Sequence, residues 1–114
     1  FLVKDTPHRW LFPQMAAIVH HGGAGTTGAA LSAGVPSLVI PHFGDQYYWG
    51  RRVAELGVGP EPIVRKKLTA ENFAGAISTA LNNSAMRERA SRLGEKITAE
   101  DGVNKAVQII QKYI

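Results

Sequence analysis

The sequence predicts an α/β fold in which helices flank a Rossmann-like parallel sheet. Short apolar runs bounded by glycine and proline alternate with longer helical segments, and this alternation is typical of parallel strands joined through helices. Few strands can be placed, whereas a doubly wound sheet normally has more of them. We therefore expect residues 1–114 to form a single, partial domain that corresponds to the C-terminal part of a Rossmann-like unit.

The first half of the chain is expected to supply the strands. Thr6 should cap a short helix that has Pro7 at its first position. A helix over residues 26–33 should end at Gly34, because glycine commonly follows the last helical residue. The apolar runs predict three strand segments, at residues 1–3, 16–19 and 37–40.

The second half is expected to be mostly helical. One helix opens at Asp45 and closes at Gly57, and a proline-rich loop with one short strand follows over residues 57–67. Further helices are predicted at residues 69 or 70 to 81, 84–100 (capped by Ser84) and 103–114. The apolar residues of the last helix fall on one stripe, formed by Val103, Ala106, Val107, Ile110 and Tyr113.

The composition fits a globular domain and excludes several classes of protein. The chain is 45% hydrophobic and has no cysteine, which excludes disulfides and thiolate zinc sites. No apolar run of the sequence is long enough to span a membrane. The net charge is +4, but the 13 lysines and arginines are scattered, so we expect no nucleic-acid binding. A cytoplasmic location fits this composition.

The chain begins with an apolar triplet and without a methionine, which indicates a piece of a longer protein. Any targeting segment further upstream would then lie outside the sequence. The surface that faces the missing part should be unusually apolar, and on its own this chain is expected to form a homodimer.

A glycine-rich stretch, HHGGAGTTGAALSAGVP over residues 20–36, predicts a strand end, a tight turn and a helix start. Glycines let the backbone approach a ligand closely, and the first amides of a helix carry the positive end of its dipole. The expected ligand is an anion, above all phosphate. A second loop, PHFGDQ, follows the next strand, and both loops should open into one crevice.

Histidine and threonine side chains in this stretch suit a phosphate. His20 and His21 are consecutive near a strand end, so their side chains point to opposite faces. We expect His21 to face the ligand as a hydrogen-bond donor or cation, with a purely structural histidine as the alternative. His20, like His42, is expected to pack. The hydroxyls of Thr26 and Thr27 can donate to phosphate oxygens, or cap the helix from the same place.

The glycines of the turn allow two interpretations of the ligand. Gly22, Gly23 and Gly25 favour close approach of a ligand over a mere turn. The segment GAGTTG also fits the G-x-G-x-x-G pattern of NAD-binding enzymes, with Asp45 about twenty residues beyond Gly25. Against this alternative, Asp45 lies at a helix start and not at the end of the next strand.

Asp45 and Gln46 form a second candidate pair. A carboxylate beside an amide can accept and donate hydrogen bonds side by side, which suits sugar hydroxyls. The alternative is that Asp45 only caps the helix that follows. The spacing of the sequence suits no metal site, no nucleophilic triad and no pair of catalytic carboxylates.

The segment HHGGAGTTGAALSAGVPSLVIPHFGDQYYWGRRVAELGVGP resembles the donor-binding signature of inverting, GT-B-fold, UDP-dependent glycosyltransferases of family 1. The flanking PHRWLFP and GVGPEPI, with the following KLT, are most similar to the sterol 3-beta-glucosyltransferase branch. The likeness runs from Phe1 to about Asn82. It implies the C-terminal nucleotide-sugar-binding domain of such an enzyme, without the N-terminal acceptor domain that holds the catalytic base.

The resemblance also implies how UDP-glucose binds. Asp45 and Gln46 would bind the glucose hydroxyls, and the segment around Val3 would lie against the uracil. Ala29 stands where plant-type members have a ribose-binding glutamate, which leaves the ribose contact unassigned. No cofactor or metal is implied. The diphosphate would be held, largely through backbone amides, by His21, Gly22, Gly23, Ala24, Gly25, Thr26 and Thr27.

The resulting expectation is the donor half of an enzyme that moves glucose from UDP-glucose to a sterol or similar hydrophobic alcohol. This chain would hold no catalytic residue and would not turn over alone, and the full enzyme would associate peripherally with membranes. Two alternatives stay open. One is a noncatalytic donor-binding subunit that needs a separate acceptor chain, and the other is a fragment of an NAD-dependent oxidoreductase.

Overall fold

A two-stranded parallel sheet underlies the helices of the computed structural model, which describes residues 2–114. Strands β1 (Ile18–His20) and β2 (Ser37–Val39) pair with Ile18 opposite Ser37 and His20 opposite Val39. The helices are α1 (His8–Leu11), α2 (Ala24–Ala33), α3 (Gln46–Glu55), α4 (Ala70–Asn82), α5 (Ser84–Glu100) and α6 (Gly102–Gln111). Single 3₁₀ turns cover Phe12–Gln14 and Arg65–Lys67. The predicted α/β class is confirmed.

The proline-rich loop covers the edge of β2 that faces away from β1. The Ser37 amide donates to the Val58 carbonyl at 3.2 Å, and the Ile63 amide donates to the Val39 carbonyl at 3.1 Å. The short strand predicted within residues 57–67 is absent from the described chain, because Pro60 and Pro62 have no amide to donate to a ladder. The loop still supplies strand-like bonds that close this side of the sheet.

Two buried apolar clusters hold the helices on the sheet. The first joins the 3₁₀ turn before β1 to α2 and the start of β2, and consists of Phe12, Ile18, Ala30 and Val35. The second joins β2 to α3 and α5, and consists of Val39, Val53, Val58 and Ala90. Leu38 and Val39 are each only 1% exposed, as expected for a parallel strand that is covered on both faces.

Helices α2 and α5 approach each other to backbone contact. Gly34 ends α2 in the left-handed conformation, with φ of 72°, where the sequence predicts the end. A Cβ atom on Gly94 of α5 would lie 2.7 Å from the Gly34 Cα atom. The two glycines therefore allow α5 to pack directly over the end of α2.

Three predicted features near the start of the chain are wrong or lie outside the described residues. Residues 2–3 form no strand, because no described strand of this chain pairs with them, and Phe1 lies outside the described range. Thr6 is not an N-cap, since its hydroxyl donates to the Lys4 carbonyl at 2.7 Å. Pro7 occupies the N-cap position of α1 instead.

Other element boundaries shift by one or two residues. Strand β1 begins and ends later than predicted, and β2 ends one residue earlier. Helix α2 begins at Ala24 and not at Thr26, because Gly23 takes an extended N-cap conformation with ψ of 145°. Helix α5 is capped by Asn83 and not by Ser84, since the Asn83 side chain accepts from the Met86 amide at 3.0 Å.

The remaining helices form where the sequence predicts them. Thr69 and Asn72 form a capping box at the start of α4. Gly57, with φ of 70°, closes α3. The apolar stripe of α6 is present, but its residues are exposed. No helix within residues 2–114 combines the length and the apolar character needed to cross a membrane.

Candidate functional site

The carboxyl ends of β1 and β2 lie side by side, because His20 is opposite Val39. The glycine turn leaves β1 at this edge and leads into α2, and the loop of residues 40–45 leaves β2 and leads into α3. Ligands of parallel α/β sheets bind at this edge. The structure therefore brings together the two loops that the sequence places in one crevice.

The start of α2 exposes backbone donors. Gly23 is the N-cap residue and has no side chain, and the described residues supply no side-chain cap. The first helical bond joins the Thr27 amide to the Gly23 carbonyl at 2.8 Å. The amides of Ala24, Gly25 and Thr26 thus have no partner within the helix. With the helix dipole behind them, these amides have the arrangement that binds anions at other helix starts, and anion binding here stays a prediction.

Glycines keep the space above these amides open. A Cβ atom on Gly25 would meet no atom of the described chain within 4 Å. A Cβ atom on Gly23 would lie 3.0 Å from Cε1 and 3.1 Å from Nε2 of His21. The exposed His21 ring therefore lies against the N-cap residue of α2. Its role toward an anion stays a prediction.

His20 is anchored to the turn. Its Nδ1 atom accepts a hydrogen bond from the Gly22 amide at 3.1 Å, so the proton of the neutral ring is on Nε2. Burial, with smaller contributions from His21 and His8, lowers the pKa of His20 from 6.5 to about 4. His20 is therefore neutral near pH 7 and has the packing role that the sequence predicts, with one specific backbone contact.

Thr27 does not fit its predicted role. Its side chain is 2% exposed, its hydroxyl has no partner among the described residues, and its amide is used inside α2. The prediction that Thr27 contacts a phosphate is wrong for this structure, because position 27 faces the protein interior. The half-buried Thr26 is one residue earlier and remains at the open end of the helix. Neither threonine is the N-cap residue.

Gly22 joins the two loops. Its φ of 94° lies in the left-handed region, which glycine adopts without strain. A Cβ atom here would lie 2.7 Å from the Val39 Cγ1 atom and 3.0 Å from the Gln46 carbonyl oxygen. The turn after β1 is therefore packed against β2 and the first residue of α3.

Asp45 is exposed at the start of α3. It stands at the N-cap position, but its carboxylate makes no capping bond within the described chain. The Trp49 Nε1 atom donates to the Asp45 Oδ2 atom at 3.3 Å, which orients the carboxylate. The alternative role as a helix cap is therefore wrong, and the side chain is available to a ligand.

Gln46 is buried, and only half of its amide can serve a ligand. The Oε1 atom accepts from the amides of His42 at 2.7 Å and Phe43 at 3.2 Å. These bonds fix the loop between β2 and α3, and the described residues provide no partner for Nε2. Within the predicted pair, Gln46 can therefore serve a sugar only as a donor, through Nε2.

A cavity of about 720 Å³ lies beside α2. Gly28, Ala29 and Ser32 line it from one face of α2, and Gly25 lies on the same face one turn earlier. The only charged side chain of the lining is that of Arg9, which the sequence analysis did not single out. A single arginine in a short helix gives no signal in a sequence. The full lining is Arg9, Pro13, Gly28, Ala29, Ser32, Ala33, Ile97 and Thr98.

Val3 is 50% exposed and is not among the residues that line the cavity. A contact between Val3 and a base therefore stays a prediction. Within residues 2–114, no group of three or more potential ligand side chains is placed to hold a metal ion.

The fold of this chain, including the two loops at this sheet edge, is similar to that of domains in solved glycosyltransferases. The glycotransferase of kitacinnamycin matches with a TM-score of 0.85 and 28% identity, over 94% of this chain and 28% of that one. Glycosyltransferase VinC, solved in complex with DTDP, matches with a TM-score of 0.77 and 28% identity, over 96% of this chain and 29% of that one. The chain has the fold of a C-terminal domain of GT-B glycosyltransferases.

Residues 2–112 match the family described as "Erythromycin biosynthesis protein CIII-like, C-terminal domain". The chain belongs to this family. It is 51% identical over 110 residues to the sterol 3-beta-glucosyltransferase of Emericella nidulans, covering 96% of this chain and 8% of that protein. It is 45% identical over 114 residues to the sterol 3-beta-glucosyltransferase UGT80B1 of Arabidopsis thaliana, covering 100% and 18%.

The chain thus spans less than a fifth of the length of these two curated relatives. Family membership also decides between the two interpretations of the glycine turn. The pattern G-x-G-x-x-G occurs here in a glycosyltransferase domain, and the alternative of an NAD-dependent oxidoreductase is not retained.

Proposed function

We propose that this chain is the donor-binding part of an inverting glycosyltransferase that moves glucose from UDP-glucose to a sterol or similar lipid alcohol. The observation that carries the proposal is the uncapped start of α2, with His21 lying against Gly23 and Asp45 at the neighbouring loop end. The identity of 45–51% to sterol 3-beta-glucosyltransferases supports the choice of sugar and acceptor.

The diphosphate would bind at the start of α2. The amides of Ala24, Gly25 and Thr26 point out of the helix and are fixed before any ligand arrives. Charge builds on the diphosphate as the bond to the sugar breaks, and preorganised donors stabilise that charge. His21 would add a hydrogen bond or a positive charge at the same place.

The nucleoside would extend from the diphosphate along α2 into the cavity. Gly25 is on the helix face that leads to Ala29 and Ser32, so a ligand held at the helix start can continue along this face. Arg9 in the cavity lining can donate to ribose or uracil oxygens, and the Ser32 hydroxyl, which donates to the Gly28 carbonyl at 2.8 Å, can accept from a ribose hydroxyl. The cavity thereby provides a place for the ribose that the missing glutamate leaves unassigned.

The sugar would lie toward the loop that leads into α3. The Asp45 carboxylate can accept hydrogen bonds from sugar hydroxyls, and its contact with Trp49 limits its orientations. The Gln46 Nε2 atom can donate beside it. Together the two side chains would hold the anomeric carbon in place for attack, which contributes to the rate through proximity.

The acceptor and the catalytic base would come from outside this chain. The family resemblance assigns the catalytic base and the acceptor site to another domain. We expect no glucose transfer to a sterol by the 114 residues alone.

Calorimetric titration of this chain with UDP, UDP-glucose and NAD, without added metal, tests the proposal. UDP should bind, and His21→Ala should weaken UDP binding about tenfold. Asp45→Asn should remove only the affinity by which UDP-glucose exceeds UDP. Glu71→Gln is the matched control, because it makes the same chemical change on an exposed residue of α4. Absence of UDP binding, or tighter binding of NAD that is indifferent to His21→Ala, would contradict the proposal.

A further inference from the structure

His20 is placed to control the shape of the donor site without touching the donor. Its ring is at the end of β1, and Nε2 is buried and without a partner among residues 2–114. Nδ1 accepts the Gly22 amide at 3.1 Å. A group whose outer nitrogen is buried cannot reach a ligand, so any effect of His20 must pass through the turn.

The hydrogen bond from the Gly22 amide to His20 fixes the turn that sets the position of the His21 ring. Gly22 has φ of 94° and lies between the β2 side chain Val39 and the backbone of Gln46. The next residue, Gly23, is the N-cap of α2 and contacts the His21 ring. Loss of the bond would leave the Gly22 amide unpaired and allow the turn to rotate.

Only a neutral ring can make this contact. The Nδ1 atom accepts a hydrogen bond when it carries no proton, and becomes a donor in the imidazolium ion. Burial keeps the ring neutral, because it lowers the pKa of His20 to about 4. The neighbouring histidines His21 and His8 act in the same direction.

We propose that His20 is a positioning residue: by accepting the Gly22 amide it holds the turn that places His21 for the donor diphosphate. This inference rests on the proposed function, since it takes UDP as the ligand of that site. His20 is not a catalytic residue, and its effect should disappear when His21 is removed.

Substitutions at His20 separate the Nδ1 contact from the bulk of the ring. Asn carries an acceptor close to the position of Nδ1, Gln carries one nearer to Nε2, and Ala carries none. We expect His20→Ala and His20→Gln to weaken UDP binding about five- to tenfold. The UDP affinity of His20→Asn should stay within about twofold of that of the unaltered chain. UDP affinity by calorimetry is the first measurement.

A double-mutant cycle provides a readout that a merely structural role would not give. In the His21→Ala background, His20→Ala should reduce UDP affinity less than about twofold, because the group it positions is gone. An additive loss would overturn the proposal. His8→Ala is the matched control: it removes a nearby histidine that stacks on Phe12 at 4.4 Å, and it should leave UDP affinity unchanged.

Spectroscopy keeps the proposal testable even where His20→Ala does not fold. Nitrogen-15 NMR of the unaltered chain should show an unprotonated Nδ1 on His20 and a coupling across the bond from the Gly22 amide. A proton on Nδ1 overturns the proposal. If His21→Ala weakens UDP binding but His20→Gln does not, the positioning role of His20 is contradicted and the proposed function is not. If His21→Ala has no effect, the proposed function fails.

Discussion

At the scale of single residues, two adjacent histidines take different roles because the backbone turns directly after them. Alternation along β1 predicts that His20 and His21 face opposite ways, and the structure leaves the first half-buried and the second exposed. The partner of each ring could not be predicted, since it depends on the Gly22 φ of 94°. Residue type and spacing thus predict that His21 is the exposed ring, but not the hydrogen bond from the Gly22 amide that holds His20.

The buried His20 should make the stability of the chain depend on pH. Its pKa is about 4 in the folded chain against an ordinary 6.5, so between these values only the unfolded chain binds the proton. The free energy of unfolding should be unaffected above pH 6.5 and should fall as the pH is lowered from 6.5 to 4. The total loss is up to about 3 kcal/mol.

Urea unfolding at a series of pH values measures this loss. Carboxylates also take up protons in the same range, so the informative quantity is the difference between the unaltered chain and His20→Asn, which does not titrate at this position. The pH dependence of the unfolding free energy should be shallower in the variant. Equal dependence in the two proteins would contradict the prediction.

The other site residues show the same limit. Asp45 and Gln46 are adjacent at the predicted loop end, but the burial of Gln46 and its bonds to His42 and Phe43 follow from the fold of the loop. Thr27 was predicted from its residue type, and its burial depends on which face of α2 meets the interior. Residue types therefore indicate a site, and the phase of each helix decides which of them can serve it.

At the scale of elements, helix starts without a polar cap are the least predictable. Helix α4 has a capping box formed by Thr69 and Asn72 and begins at Ala70, one of the two starts that the sequence predicts. Helix α2 starts at a glycine N-cap, so a nearby threonine is the natural but incorrect choice. The feature that misleads the prediction is the one that leaves the amides open to a ligand.

Packing between α2 and α5 should depend on the absence of a side chain at Gly94. A Cβ atom there would lie 2.7 Å from the Gly34 Cα atom and 2.8 Å from its nitrogen, so Gly94→Ala must push the helices apart. We expect the free energy of unfolding to fall by about 1–3 kcal/mol. Urea unfolding at constant pH measures the change.

Gly75→Ala is the matched control for this substitution. Gly75 is also inside a helix, α4, but a Cβ atom there would meet nothing within 4 Å of the described residues. Alanine should therefore stabilise α4 by about 0.5–1 kcal/mol. Equal effects at the two positions would show that helix propensity, and not the contact with Gly34, decides the result at Gly94.

At the scale of the whole molecule, α6 stands apart from the core. The described chain extends over 56 × 32 × 30 Å, and no residue of α6 is buried. The amphipathic pattern predicted this helix and its apolar stripe, but a pattern does not say whether the partner surface is in the same chain. The predicted homodimer stays a prediction, and the exposed Val103, Val107 and Ile110 supply apolar surface for it.

Helix α6 should contribute almost nothing to the stability of this chain. Its apolar side chains remain in water, with Val103 78% and Ile110 58% exposed, so they add no burial free energy to folding. A helix of ten residues is marginal without packing, because isolated helices shorter than about 12 residues rarely persist in water. Ending the chain after Asp101 should therefore leave the midpoint of urea unfolding nearly unchanged, since the free energy of unfolding should change by no more than about 0.5 kcal/mol, as is typical of surface changes.

Amide hydrogen exchange provides the second measurement, because α5 and α6 are adjacent in sequence and differ in packing. The amides of α5 that lie over α2, near Ala90 and Gly94, should exchange slowly, whereas those of α6 should exchange almost as fast as in an unfolded peptide. A lower midpoint in the shortened chain, together with protected α6 amides in the full one, would show that α6 packs on this domain. An unchanged midpoint and fast exchange would show that α6 does not pack on this domain, so that its apolar stripe is available to a surface outside the described fold.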